Sequence, residues 1–150
     1  MISNFYKEDG TVVLDPLRYV NNWLLKHPKG EIHLGCDSKV KRGYVKYSVA
    51  ICMREIGRGV HEIFGTRNTP KPKDRYSRLW EEVNLAVQVA HKFDTIPSPI
   101  FIHVDLNKDP NYFSNSLYEA SLGFIKSMGY NALAKPDAWA ASSGAHSHCQ

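Results

Sequence analysis

The chain of 150 residues is poor in cysteine and has no long apolar run. Its three cysteines, Cys36, Cys52 and Cys149, have no paired spacing, which argues against a disulfide framework and fits reduced thiols. No stretch approaches the roughly 20 consecutive apolar residues that a membrane-spanning helix needs. The N-terminal segment MISNFYKEDG contains acids where a signal peptide would have its apolar run. We therefore expect a soluble, cytoplasmic protein with no membrane partner.

The composition provides enough apolar material for one core. Hydrophobic residues make up 43% of the chain and aromatic residues 11%, which at this length predicts a single domain over 1–150. The net charge of +4 is modest, but the basic residues are concentrated in two segments. The first contains Lys39, Lys41, Arg42 and Lys46, and the second contains Arg67, Lys71, Lys73, Arg75 and Arg78. Each segment is either a solvated loop or a contact surface for phosphates.

The periodicity of apolar residues predicts alternating helices and strands. Asp15 and Pro16 are typical of a helix start, and this N-terminal helix is expected to end near Pro28. After it we expect strands at 32–37, 44–56 and 60–66, a helix at 76–93, a strand at 100–104, a helix at 114–128, a strand at 130–134 and a helix at 137–144. This order predicts an α/β domain with a mixed five-stranded sheet flanked by helices. Its core spans about 31–142, with an N-terminal helical extension at about 15–27 and a flexible tail at about 143–150.

Two acids stand where apolar strands end. Asp37 closes the run IHLGCD, and Asp105 closes the run IFIHVD. The carboxyl end of a strand in an open α/β sheet faces the crevice where ligands usually bind. Aspartate is also common in turns and at helix starts, which is the structural alternative for each residue. Together they are candidate ligands at one edge of the sheet.

Helical periodicity separates two adjacent glutamates. Glu81 belongs to a polar row that contains Ser77, Asn84 and Gln88. Glu82 belongs to an apolar row that contains Leu79, Leu85, Ala86, Val89 and Phe93. Glu82 is therefore expected to point inward. Because burying an unpaired carboxylate costs roughly several kcal/mol, it needs a cationic partner such as Arg78, a metal ion or a raised pKa.

Three carboxylates from two strand ends and a facing helix would form an all-oxygen site. Such a site suits Mg²⁺ or Mn²⁺ rather than zinc. Two such ions can stabilise both the attacking and the leaving oxygen during phosphodiester cleavage, a mechanism that uses about four carboxylate-type ligands. The fourth candidate is Asp137, which could instead cap the last helix.

Four short motifs, in this order, resemble the YkuK family of small ribonuclease H-like proteins from bacteria and phages. They are GCDSK at 35–39, RLWEEV at 78–83, VDLN at 104–107 and KPDAWAAS at 135–142. The resemblance covers about 32–142. It implies a ribonuclease H-like fold and acidic metal ligands at Asp37, Glu82, Asp105 and Asp137.

The histidines add alternatives. In many ribonuclease H-like enzymes the last acid lies within the final helix, whereas Asp137 precedes it, and in some relatives a histidine replaces it. His146 and His148 are therefore alternative ligands. With Cys149 they are also typical zinc ligands, but without a second ligand cluster we interpret this segment as a flexible tail. The strand residues His33 and His103 are expected to be core or rim histidines.

From these residues we expect a Mg²⁺- or Mn²⁺-dependent nuclease that cleaves RNA, DNA or a hybrid by a two-metal mechanism. The residues expected to contact the nucleic acid are Ser38, Lys39, Lys71, Lys73, Arg75 and Arg78. Such phosphate contacts position a substrate without reading its sequence. The alternative is a catalytically inactive ribonuclease H-like module that binds nucleic acid or protein. An inward-facing Glu82 favours the enzyme, because an inactive scaffold has no need of a carboxylate there.

Overall fold

The computed structural model describes residues 2–106, 109, 111, 115–135 and 137–150. Within this part of the chain, seven strands and four α-helices form a layered α/β domain. The strands are β1 (Phe5–Lys7), β2 (Val12–Val13), β3 (Glu31–Val40), β4 (Val45–Arg54), β5 (Val60–Thr69), β6 (Ile100–Val104) and β7 (Asn131–Ala134). The helices are α1 (Pro16–Lys26), α2 (Arg75–Ala90), α3 (Asn115–Ser127) and α4 (His146–Cys149). A short 3₁₀ helix, His91–Phe93, follows α2, and a π-helix, Ala140–Ala145, leads into α4. The predicted helix start at Ser114 and the motif residues Asn107 and Pro136 lie outside the described residues.

The strands form one mixed sheet in the order β2-β1-β5-β4-β3-β6-β7. Strands β3, β4 and β5 form an antiparallel meander, whereas β6 runs parallel to β3 and β7 runs parallel to β6. The five predicted strands are all present, but the prediction of a five-stranded sheet was wrong, because the sheet has seven. The two additional strands form a hairpin that extends the sheet beyond β5. They have three and two residues, too few to show an alternating pattern.

Local capping explains where the first two long helices begin. The Asp15 carboxylate accepts a hydrogen bond from the Arg18 N–H, and Pro16 occupies the first turn of α1. The Asp74 carboxylate accepts from the Ser77 N–H at 2.8 Å and starts α2 in the same way. Helix α2 lays an almost continuous apolar face against β3, β4 and β6, where the main core lies.

The C-terminal segment covers the other face of the sheet. Ala140 and Ala145 pack on Ala50 and Cys52 of β4, and Trp139 lies beside them. The expected flexible tail from about residue 143 is helical in the structure, and Cys149 is fully buried. Small side chains explain this arrangement, because they let the π-helix backbone approach the sheet closely.

Gly35 is the position where this approach is tightest. A Cβ atom at residue 35 would lie 2.3 Å from the backbone nitrogen of Ala141. The neighbouring atoms are backbone atoms rather than flexible side-chain ends, so they cannot move aside cheaply. Only glycine fits beneath the C-terminal segment at this point.

We predict that Gly35→Ala lowers the free energy of unfolding by about 1–3 kcal/mol, because the added methyl group overpacks this contact. Gly123→Ala is the matched control, since Gly123 lies within α3 with open space around it. The control should be neutral or stabilising by up to about 1 kcal/mol, because alanine favours helix. Urea unfolding of the three proteins measures both effects. Equal stability of Gly35→Ala and the wild type would contradict the packing described here.

Candidate metal centre

Asp37 and Asp105 occupy equivalent positions on two neighbouring parallel strands. The pairing of β3 with β6 ends at Gly35 and His103, and each aspartate lies two residues beyond that point. Asp105 directly follows β6, but the expected strand end at Asp37 was wrong, because β3 stays paired with β4 as far as Val40. Both carboxylates therefore lie just beyond the paired segment of the two parallel strands, where ligands of open α/β sheets usually bind.

Glu82 faces these aspartates from α2. Its side chain is buried, with 7% of the residue exposed, whereas the preceding residue, Glu81, is more exposed. The inward orientation of Glu82 predicted from helical periodicity is therefore confirmed. The Ser38 hydroxyl donates to Glu82 Oε2 at 2.5 Å, while the Ser38 N–H donates to Asp37 Oδ1 at 2.9 Å. One residue of β3 thus connects two of the carboxylates.

Burial is the main reason why the pKa of Glu82 lies well above its usual range. The negative charges of Asp37 and Asp105 raise it further, whereas the Ser38 hydrogen bond and the Arg78 charge lower it. The carboxyl group of Glu82 thus lies in a site that disfavours its charge unless a cation is close by.

The last helix brings a histidine to Asp37. His146 Nδ1 lies 2.6 Å from Asp37 Oδ2, and the Cys149 thiol lies 3.9 Å from the same oxygen. These three side chains form a group whose potential ligand atoms all lie within 4.8 Å of one another. Asp137 is exposed and belongs to no such group among the described residues. The side chain that the structure brings to Asp37 is therefore His146 rather than Asp137.

Asp105 has a cationic partner. Lys135, just after β7, places its Nζ atom 3.0 Å from Asp105 Oδ1. Asp105 also lines a small pocket with Cys36, Glu82 and His103. The three carboxylates of Asp37, Glu82 and Asp105, which we call the acid cluster, do not have ligand oxygens all within 4.8 Å of one another.

Basic side chains in the first turn of α2 and in the loop before it lie next to these acids. Lys71, Arg75 and Arg78 line a surface groove with the apolar Val40 and Val45. Within the described part of the chain, the buried Arg78 Nε has no hydrogen-bond acceptor, yet its charge acts on Glu82. We call this surface the basic groove. Arg78 connects it with the carboxylates.

The other predicted nucleic-acid contacts are placed differently. Lys73 is exposed near the groove. The Ser38 hydroxyl is engaged by Glu82, and the Lys39 amine donates to the Gln150 side chain at 2.9 Å. Ser38 and Lys39 thus have partners within the protein. The other predicted nucleic-acid contacts lie in the basic groove or, like Lys73, near it.

Comparison with known proteins assigns the family. The model of the ribonuclease H-like family matches residues 18–150. The chain belongs to this family. It is the YkuK family, which the four sequence motifs resemble. No curated protein and no solved structure matches the chain. Among the described residues of this ribonuclease H-like protein, no helix is long and apolar enough to cross a membrane.

A second group of potential ligands lies elsewhere in this ribonuclease H-like protein. Glu8, Glu62 and His148 also place three ligand atoms within 4.8 Å of one another. From the sequence, His148 was an alternative to Asp137 and, with His146 and Cys149, a possible zinc ligand, whereas neither glutamate was a candidate. The three residues are far apart in the chain and occur in no motif, so only the folded sheet brings them together.

Two buried histidines, His33 on β3 and His103 on β6, connect the sheet to the start of the C-terminal segment. His103 Nδ1 accepts the Ala140 N–H at 3.1 Å, so its proton is on Nε2 and is donated to His33 Nδ1 at 2.8 Å. His33 Nε2 then donates to the Glu31 carboxylate at 2.9 Å. Both rings are neutral in this arrangement, in keeping with the prediction of satisfied core histidines. Burial is the main reason why the pKa of His103 falls to about 3.

This low pKa predicts a pH-dependent stability. Between pH 6.5 and about pH 3, the unfolded chain binds a proton at His103 that the folded chain does not. The contribution of this residue to the free energy of unfolding therefore decreases as the pH falls, by up to about 1.4 kcal/mol per pH unit. We predict that His103→Gln loses less stability than the wild type between about pH 7.5 and about pH 5.

Urea unfolding at both pH values measures this difference, and His27→Gln serves as a control at a partly exposed histidine. The control should keep the pH dependence of the wild type. If His103→Gln keeps it as well, His103 is protonated in the folded protein and the assigned hydrogen bonds are incorrect.

Proposed function

We propose that this protein is a nuclease that uses Mg²⁺ or Mn²⁺ ions, held by Asp37, Glu82 and Asp105, to cleave phosphodiester bonds of a nucleic acid. The observation that carries the proposal is the buried Glu82 carboxylate, which faces Asp37 on β3 and Asp105 after β6, next to the basic groove. Structural needs do not explain an acid at this position, because an apolar residue would fit the buried face of α2 at no electrostatic cost.

The donor set fits hard divalent cations. Three carboxylates supply oxygen ligands, which Mg²⁺ and Mn²⁺ prefer. We propose His146 rather than Asp137 as the fourth ligand, because the final helix brings His146 to Asp37. An imidazole is a better ligand for Mn²⁺ than for Mg²⁺. When bound, two such ions would stabilise the attacking and leaving oxygens of a phosphodiester.

Each of the three carboxylates has a protein partner whose contact would be replaced when a cation binds. Ser38, His146 and Lys135 each stabilise one of the three carboxylates. A divalent ion would take the place of these contacts and supply positive charge to all three carboxylates. His146 and Lys135 are about half exposed, so both side chains can reorient without disturbing the core.

The basic groove supplies a path for the substrate. Lys71, Arg75 and Arg78 offer positive charge beside the acid cluster, and the apolar Val40 and Val45 line the same surface. Side chains of this kind hold a phosphate backbone by charge, independently of base sequence. A strand held there would pass close to Glu82, because Arg78 lies near both.

The second candidate function is a module that binds nucleic acid without cleaving it. The contacts of Asp37 with His146 and of Asp105 with Lys135 favour this candidate, because each of these two acids already has a partner without any ion. Under this alternative the basic groove binds the same ligand, and no metal-dependent cleavage follows.

We predict that the purified protein cleaves at least one substrate in a panel of hybrid, duplex, single-stranded and branched nucleic acids. Cleavage should require Mg²⁺ or Mn²⁺ and stop in chelator. Asp105→Asn and Glu82→Gln should each reduce the rate by more than about 100-fold, because each removes one proposed ligand. Glu81→Gln is the matched control and should retain the rate, since Glu81 lies on the polar row of α2.

Binding of the same panel, measured by fluorescence anisotropy, separates the two candidate functions. Metal-dependent cleavage that survives in Glu82→Gln would refute the proposed ligand set. Binding of a nucleic acid without cleavage of any substrate would support the binding module. Absence of binding would contradict both candidates.

A further prediction concerns the basic groove. Replacing Lys71, Lys73 and Arg75 together by glutamine should weaken binding, and the slope of log K against log salt should become shallower by up to about 3, because fewer counterions are released. The control replaces Lys26, Lys29 and Arg58, which lie at the opposite end of the sheet, where β3 begins. Equal salt slopes for the two triple variants would place the nucleic acid on another surface.

A further inference from the structure

A second group of ligating side chains joins both termini of the chain to the sheet. Glu8 directly follows β1, Glu62 lies on β5 and His148 lies on α4. Their ligand atoms all lie within 4.8 Å of one another. The group shares no residue with the acid cluster, and the nuclease proposal makes no use of it.

The geometry of this group is well defined. The His148 ring stacks on Phe64, with ring centroids 3.7 Å apart and planes 6° from parallel. Its Nε2 atom lies 3.1 Å from Glu62 Oε1. The side chains of His148 and Glu62 are only 14% and 15% exposed, whereas Glu8 is exposed. Stacking on Phe64 therefore holds the His148 ring in place beside the largely buried Glu62. Glu8 approaches these two residues from the solvent side.

A buried thiol lies close to the same position. The Cys52 Sγ and Glu62 Oε1 atoms both lie 3.5 Å from the point where a Cβ atom on Gly144 would stand. Cys52 is 2% exposed, but it does not belong to the group of ligand atoms within 4.8 Å of one another. A surface cavity lined by Lys7, Glu8 and Glu62 opens onto the group. This cavity gives an ion a path from solvent to the three side chains.

We propose that Glu8, Glu62 and His148 bind a Zn²⁺ ion that ties the N-terminal hairpin and the C-terminal helix to the sheet. One imidazole and two carboxylates form a mixed nitrogen and oxygen set, which binds Zn²⁺ more strongly than Mg²⁺. Three protein ligands leave the fourth position of a tetrahedral zinc site for water. This inference does not rest on the proposed nuclease activity.

The position of α4 gives the site a structural consequence. The same four-residue helix carries His146 and Cys149 toward Asp37 and His148 toward Glu62. An ion on His148 fixes this short helix to β5 and β1. The ion would thus hold the His146 imidazole at Asp37 from a distance, without contacting the acid cluster.

The test measures Zn²⁺ binding to the full chain by isothermal titration calorimetry. The background variant is Asp37→Asn, which removes the carboxylate shared by the acid cluster and by the group of Asp37, His146 and Cys149. We expect one Zn²⁺ per chain in this background. Adding Glu8→Gln, Glu62→Gln or His148→Gln should weaken the affinity by about tenfold or more, because each removes one ligand.

Two matched controls are Glu55→Gln and His91→Gln in the same background, since both residues lie outside the group of ligands and outside the cavity that opens onto it. They should leave the affinity unchanged. Glu8→Gln changes an exposed side chain, so it tests the site even if a change at the more buried Glu62 unfolds the protein. Circular dichroism confirms that each variant is folded. Absence of Zn²⁺ binding to the folded background, or unchanged affinity in Glu8→Gln and His148→Gln, would overturn the proposal.

Discussion

The buried Glu82 carboxylate must be stabilised by its neighbours, and the other residues of the candidate metal centre either supply or oppose that stabilisation. A buried carboxylate needs a hydrogen bond or a cation, because it has lost its water. The Ser38 hydroxyl supplies the hydrogen bond, and Arg78 supplies part of the charge. Asp37 and Asp105 work in the opposite direction, since their charges raise the pKa of Glu82. Three acids brought together in this way are more stable when a divalent cation neutralises them.

The close contact at Gly35 determines whether His146, the proposed fourth ligand, reaches this centre. Because the sheet has no side chain there, the π-helix can lie on β3 and carry α4 to the carboxyl edge. The hydrogen bond from the Ala140 N–H to His103 supports the start of the same segment. One short helix then serves both candidate metal sites, with His146 at the acid cluster and His148 at the mixed site.

Several parts of this arrangement follow from sequence patterns alone. The apolar row around Glu82 reports burial, and the run that ends at Asp105 reports a strand end, because both depend on local periodicity. The end expected at Asp37 was wrong, since the mostly polar residues 37–40 continue β3 through pairing with β4, which the apolar pattern of β3 does not reveal. Local patterns contain no information on which distant residues meet, so the Glu8–Glu62 contact and the short N-terminal strands were not predictable. The tail was misjudged for a related reason: its alanines have little apolar surface, and their packing depends on a glycine more than 100 residues earlier in the chain.

A crystal structure determined with Mn²⁺ would locate the ions by anomalous scattering, independently of the protein atoms. We expect Mn²⁺ bound by Asp37, Glu82 and Asp105, with carboxylate oxygens within about 2.3 Å of an ion and the Lys135–Asp105 contact lengthened. His146 Nδ1 or Nε2 would complete the ligand set. Mn²⁺ bound only at other positions, with Glu82 still hydrogen-bonded to Ser38, would contradict it.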